Sequence, residues 1–192
     1  MRTLLHDRRG ASAIEFALLA PVLLLALLGI FDLAYNLYTQ SLLDGVVRSA
    51  ARNSTLEGAS LQTANVDGQI TRAMQDIAPA ASLTFDRTSY ASFSSVNKAE
   101  GFTDTNKDNR CDAGEPFEDV NENGVWDADQ GRAGAGSSRD VVVYLVTVTY
   151  PRPFPVTTLL GTGSTITLRS RTVLGNQPWD NLKQAPTVKN CP

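Results

Sequence analysis

Residues 11–31 read Ala-Ser-Ala-Ile-Glu-Phe-Ala-Leu-Leu-Ala-Pro-Val-Leu-Leu-Leu-Ala-Leu-Leu-Gly-Ile-Phe, with Glu15 the sole charge. A helix rises about 1.5 Å per residue, so a run of this length spans roughly the 30 Å hydrocarbon core of a bilayer. The stretch therefore predicts one transmembrane helix. Arg2, Arg8 and Arg9 precede it, opposed only by Asp7. The positive-inside rule keeps that end in the cytoplasm and exports the C-terminal bulk. A cleavable signal peptide is the alternative, but its apolar region is shorter and ends in a small-residue cleavage site. Here the run continues without such a break into Asp32-Leu-Ala-Tyr-Asn-Leu-Tyr38. Pro21 removes one backbone donor and is expected to kink or locally open the helix, with Gly29 a second soft point.

Charge narrows the choice of function. The 192-residue chain carries a net −3, which argues against a dominant nucleic-acid partner. The mean hides a strong asymmetry: residues 100–131 hold ten of the 20 acidic residues and two of the 17 basic ones, a net −8. The lone histidine, His6, lies before the apolar run, and Cys111 and Cys191 are the only cysteines. No His/Cys zinc set and no exported Ser–His or Cys–His pair can be assembled. A non-enzymatic role is expected.

Glu15 needs an explanation, because a carboxylate near the membrane costs a few kcal/mol unless paired. Cutting after Gly10 would free the α-amino group of Ala11 as its partner and make Glu15 the fifth mature residue. Basic residues, Gly10, Glu15 five positions on and the apolar helix resemble the class III signal of type IV prepilins and pseudopilins. The wider stretch from Arg9 through Leu25, together with Ala50-Ala-Arg52, resembles the TadE-like pseudopilins of the tight-adherence (Flp) pilus system. The tail Ser170–Pro178 resembles the end of that family more loosely. The resemblance implies cleavage between Gly10 and Ala11 by a prepilin peptidase and a role for Glu15 in registering one subunit against the next. It also implies other pilins or pseudopilins as partners, beside the lipid bilayer. The place implied is the inner (cytoplasmic) membrane, single-pass, with the C-terminal domain periplasmic. An uncleaved signal anchor with an incidental Glu remains the alternative.

Three regions follow: a basic leader at 1–10, a transmembrane and extended helix at 11–53, and an exported domain at 54–192. Leu33, Leu37, Leu42, Val46 and Ala50 continue a drifting helical period, and Asn53-Ser-Thr with Gly58 marks a stop. Val66, Ile70, Met74 and Ile77 form one apolar stripe of a second helix across 63–77, ended by Pro79. Strands are predicted over 82–88, over 141–150, the β-branched run bounded by Pro151, and over 164–173. In the last, Ile166 and Leu168 share one face, with Arg169 and Arg171 on the other. The fold class is α+β, a small antiparallel sheet against helices with the stalk helix at its N-terminus. Trp126 and Trp179 are expected as buried aromatics, with surface contacts as the alternative.

Residues 101–131 interrupt this domain with a repeat of period 15. Asp104-Thr-Asn-Lys-Asp-Asn-Arg-Cys-Asp-Ala-Gly-Glu115 aligns with Asp119-Val-Asn-Glu-Asn-Gly-Val-Trp-Asp-Ala-Asp-Gln130. Oxygen-bearing side chains recur at the first, third, fifth and ninth places, the spacing of an EF-hand-type calcium loop. Ca²⁺ takes six to eight hard oxygens at about 2.3–2.6 Å, and a tight loop turns alternate side chains inward to supply them. The first loop would use Asp104, Asn106, Asp108, the Arg110 carbonyl, Asp112 and Glu115. The second would use Asp119, Asn121, Asn123, the Val125 carbonyl and Asp127. Asn109 replaces the usual glycine in the first. The second has Gly124 but ends in Gln130, with Asp129 as a substitute acid, so the first is expected to be tighter. Pro116 follows Glu115 directly, so flanking helices are not required, and the repeats resemble dockerin-type or thrombospondin-type calcium repeats. A solvated loop without an ion is the alternative.

Cys111 and Cys191 both lie in the exported part, where a bridge can form. Free thiols or a bridge to another chain stay open at this level. The functional expectation is a pseudopilin or minor pilin that assists assembly of a tight-adherence pilus, with structural calcium. The alternatives are a signal-anchored, calcium-stabilised binding module and, with least support, an anchored hydrolase using acidic residues.

Overall fold

A computed structural model describes residues 10–56, 63–137, 139–154, 161, 163–175 and 186–192. The basic leader, Gly58, Trp179 and the tail from Asn176 to Pro178 lie outside the described residues.

Helix α1 runs from Ala11 to Leu56, three residues past the expected end. It is one continuous helix through Pro21, which does not open it as anticipated. Its first turns stand clear of the rest of the described chain. Ile14, Phe16, Leu18, Leu19 and Val22 are each about two-thirds exposed, from 65% to 72%. The helix has an 18-residue window of mean hydropathy 2.5 with none of that window buried, so by length and composition it can cross a membrane once, the one such helix among the described residues.

From Asp32 onward α1 becomes amphipathic. Leu43, Val47 and Ala50 are buried, while Leu33, Leu37 and Tyr38 stay exposed. The buried stripe packs against helix α2, Thr63–Gln75, through Val66, Ile70 and Met74, and against the sheet. Helix α2 ends two residues before the expected Ile77. Ile77 and Ala78 donate back to the Met74 carbonyl (3.2 and 2.9 Å), tightening the last turn ahead of Pro79, whose ring disfavours a helical residue before it.

The main sheet is antiparallel, in the order β3-β1-β4-β5. Strand β1 is Ser82–Tyr90, β3 is Arg132–Ala133, β4 is Val141–Pro151 and β5 is Thr165–Gly175. Strand β4 carries the register: Tyr144, Val146, Val148 and Tyr150 alternate into the core, each nearly inaccessible. A one-residue slip would turn that whole set to the other face. Each such side chain contributes about 1.5–3 kcal/mol by burial, so slippage is strongly opposed. Ile166 and Leu168 of β5 face this core and Arg169 and Arg171 face out, as the alternation requires. Strand β1 continues two residues past Thr88, because Ser89 and Tyr90 find partners in Val142 and Val141. The α+β architecture matches expectation. The separate two-stranded pair of β2 (Pro116–Asp119) and β6 (Thr187–Asn190) was not anticipated.

Polar contacts fix the helices to the sheet. Asp67 of α2 accepts from Arg87 (2.5 and 3.1 Å) and from the Tyr144 hydroxyl (2.5 Å). The Arg87 guanidinium also lies 4.4 Å from the centre of the Tyr144 ring. Burial and the adjacent Asp67 hold the Tyr144 phenol well above its ordinary pKa, so it stays a donor. On α1, Asp32 pairs with Arg152, Asn36 accepts from the Tyr150 hydroxyl (3.0 Å) and Asp44 accepts from Ser170 (2.6 Å).

Candidate functional site

Strand β1 runs away from the apolar half of α1 and β4 returns toward it, so the acidic insert sits at the far end of the sheet. Its two loops have the same local fold. In the first, Asp104 Oδ1 accepts the Asp108 amide (3.2 Å) and Oδ2 that of Asn109 (2.8 Å). In the second, Asp119 Oδ1 accepts the Asn123 amide and Oδ2 that of Gly124, both at 3.0 Å. Asn106 Oδ1 accepts from Asp108 (3.0 Å), and Asn121 Oδ1 accepts from Asn123 (3.1 Å). Asp108 Oδ1 takes the Arg110 amide at 2.9 Å, and Asn123 Oδ1 takes the Val125 amide at 2.8 Å. The Nδ2 groups of Asn106 and Asn121 reach Asp112 and Asp127, each at 2.8 Å. Positive φ recurs in step, at Lys107 (64°) and Asn109 (62°), then at Glu122 (62°) and Gly124 (86°). Asn109 thus adopts the left-handed turn that Gly124 makes without steric cost.

The closing acids differ from expectation. Glu115 closes the first loop: Oε1 accepts the Thr105 amide (2.7 Å) and hydroxyl (2.6 Å), and Oε2 accepts the Asp112 amide (3.1 Å). In the second loop Asp129 does not take this role. Its carboxylate instead accepts the Tyr90 hydroxyl at 2.9 Å. Glu100 does. Its Oε1 accepts the amides of Val120 (2.8 Å) and Asn121 (3.3 Å), and its Oε2 accepts that of Asp127 (3.1 Å). Glu100 is 2% exposed. Its own amide donates to Asp127 O at 3.0 Å, just as Glu115 donates to Asp112 O at 3.0 Å. The sequence signal was present: Glu100-Gly-Phe-Thr-Asp104 and Glu115-Pro-Phe-Glu-Asp119 share a Glu-x-Phe-x-Asp pattern at the same period of 15. Phe102 bridges Phe117, and the flanking bonds Thr103 N to Pro116 O and Glu118 N to Gly101 O, both 2.8 Å, make the pairing two-fold symmetric. The second loop is therefore closed from its N-terminal side, by the residue one repeat before Glu115.

The surroundings of the loops are not equivalent. Cys111 in the first is disulfide-bonded to Cys191, with Cα atoms 5.6 Å apart. The equivalent Trp126 donates its indole N–H to the Glu100 carbonyl (2.9 Å) and meets Phe102 edge-on. Lys189 of β6 brings its Nζ to 2.7 Å from Asp119 Oδ2, and Asp119 is fully buried. Burial would raise the Asp119 carboxyl, but the Lys189 ammonium and the Gly124 and Asn123 amides outweigh it and hold the group below the ordinary range. Glu115 is also held low, first by the Thr105 hydroxyl and then by the Thr105 and Asp112 amides.

Among the described residues no three His, Cys, Asp or Glu side chains converge closely enough to hold a metal ion. The oxygens of both loops instead accept backbone amides. The donor set nevertheless suits a hard cation: each loop aligns carboxylates, amide oxygens and a backbone carbonyl at alternate positions. Turning the Asn106 and Asn121 amides exchanges a nitrogen for an oxygen at no covalent cost.

At the other end of the chain, Gly10 precedes α1 and its carbonyl accepts the Ile14 amide at 3.2 Å. Glu15 projects from the exposed start of the helix. Residues 10–52 match the family model of TadE-like proteins. The TadE-like segment thus begins at the glycine of the expected cut, takes in Glu15 and the whole apolar run, and ends at Arg52, just after the buried Ala50 and Ala51. Neither the curated proteins nor the solved structures compared gave a match to this chain. The domain that carries the loops lies outside the TadE-like segment.

Proposed function

We propose that this chain is a pseudopilin or minor pilin that assists assembly of a tight-adherence pilus, without enzymatic activity. The observation that carries the reading is the TadE-like match over residues 10–52, on a helix with an 18-residue apolar window of which none is buried. In this reading a prepilin peptidase cuts between Gly10 and Ala11 at the cytoplasmic face of the inner membrane. The freed Ala11 amine neutralises Glu15, and Glu15 then registers the subunit against neighbouring pilins. The domain from residue 54 onward lies in the periplasm. Mass spectrometry of the membrane-extracted protein tests this. A mature chain starting at Ala11 is expected, and one retaining Met1 contradicts it.

The insert is proposed to bind Ca²⁺ as a structural ion. The first loop would hold it through Asp104, Asn106, Asp108, Arg110, Asp112 and Glu115, the second through Asp119, Asn121, Asn123, Val125, Asp127 and Glu100. The ion would neutralise a segment carrying net −8. What supports this is the repetition of one loop fold, down to a closing glutamate for each copy. Calcium titration of the whole chain in detergent, followed by calorimetry, is the test, and absence of binding heat contradicts it.

A further inference from the structure

The apolar run of α1 ends at Phe31, and Asp32 is the first charge after Glu15. From Ser12 to Phe31 the helix rises about 30 Å, one hydrocarbon thickness, so Asp32 marks the outer edge of the bilayer. The head domain reaches this level. Arg152 pairs with Asp32, and Phe154 stacks on Phe31 with ring centres 6.2 Å apart. The Tyr35 hydroxyl donates to Ile77 O at 2.9 Å, which brings the α2–β1 turn to the same height. Strand pairing aligns these pieces: Ser82 faces Thr149 and Pro151 faces Thr165 at one end of the sheet, while Tyr90 faces Val141 at the other. Exposed Pro79, Ala80, Pro151 and Pro153 lie at the first end. The insert with net −8 hangs from the second, a strand length of roughly 35 Å away.

We propose that this end of the head domain rests on the phospholipid surface, with Phe154 at the depth of Phe31 and Arg152 in the headgroup layer. The proposal builds on α1 as a membrane span. Continuity of the apolar surface from Phe31 onto Phe154 argues for lipid as the occupant, and so does the separation of charge. The one strongly acidic segment lies at the end away from a surface rich in phosphates, while at the near end the Asp32 carboxylate is neutralised by Arg152.

The test uses the full chain in vesicles of mixed zwitterionic and anionic phospholipid, some brominated near the glycerol end of the acyl chains. Four variants each add one tryptophan, and the added emission over the parent is read. Phe154→Trp samples the tip, Phe31→Trp the span, and Phe93→Trp the exposed 3-10 turn at the far end. Pro153→Trp, at an exposed site, repeats the tip measurement without disturbing a packed ring. The expected result is loss of most of the added emission for Phe31→Trp, Phe154→Trp and Pro153→Trp, and none for Phe93→Trp. Quenching of Phe31→Trp with both tip variants unquenched overturns the proposal and leaves the anchor intact. An unquenched Phe31→Trp overturns the membrane span itself. Quenching of Phe93→Trp as strongly as the tip overturns the upright placement.

Discussion

The two acidic loops share a backbone and differ in what holds them. The first is closed by its own Glu115 and stapled by Cys111 to Cys191. The second borrows Glu100 from before the first loop, rests Trp126 on Phe102, and has a lysine at its leading carboxylate. The first is therefore a local unit with a covalent tie. The second depends on two pieces of chain distant in sequence, residues 100–102 and Lys189. One motif can thus be stabilised by sequence neighbours in one copy and by tertiary structure in the next.

Breaking the staple should have the largest effect. Cys111 and Cys191 are separated by 80 residues, and closing a loop of that size is worth about 4 kcal/mol in the chain-entropy view. The bridge also holds β6 beside β2, through Cys191 N to Glu115 O (2.8 Å) and Gly114 N to Cys191 O (3.0 Å). The Cys111→Ser/Cys191→Ser double variant should therefore lose stability in thermal unfolding and also free Lys189 from the second loop, although neither cysteine belongs to that loop.

Next comes Glu100→Gln. A buried carboxylate that accepts three amides would be replaced by a group with one oxygen and two donors, at a cost of about 1–3 kcal/mol. Loss of order in the second loop, read from Trp126 fluorescence, is expected while the first loop keeps its fold. Lys189→Met should cost about 1 kcal/mol without calcium, since the lysine is partly exposed, and should strengthen calcium binding at the second loop by removing a tethered competing cation. Calorimetry at matched ionic strength separates these effects.

The smallest effect is on acidification without calcium. Glu115 and Asp119 both titrate lower in the folded chain than in an unfolded one. Their contribution is complete above the ordinary carboxylate values and is lost as pH falls through the folded ones, below about 4. Trp126 emission should be flat from neutral pH down to that range and then change.

Much of this arrangement is legible in the chain. The apolar run announces α1, the β-branched run announces β4, and the 15-residue period announces both loops. Glu100 lies ahead of both loops, so reading the second loop forward to Gln130 does not reach it. Counting the same period backward from Glu115 finds it. Strand β6 carries no local signal, being four exposed residues without apolar alternation. The Lys189–Asp119 contact joins residues that only the disulfide and the β2–β6 pairing bring together. Hydropathy and spacing report on neighbours, so what the tertiary fold supplies stays invisible to them.

The most direct measurement of the paired-loop account is a calcium titration of the full chain in detergent, comparing the parent with Glu100→Gln and Glu115→Gln. The account predicts two binding phases in the parent, the weaker removed by Glu100→Gln and the tighter by Glu115→Gln. A single phase unaffected by Glu100→Gln, or no binding at all, would contradict it.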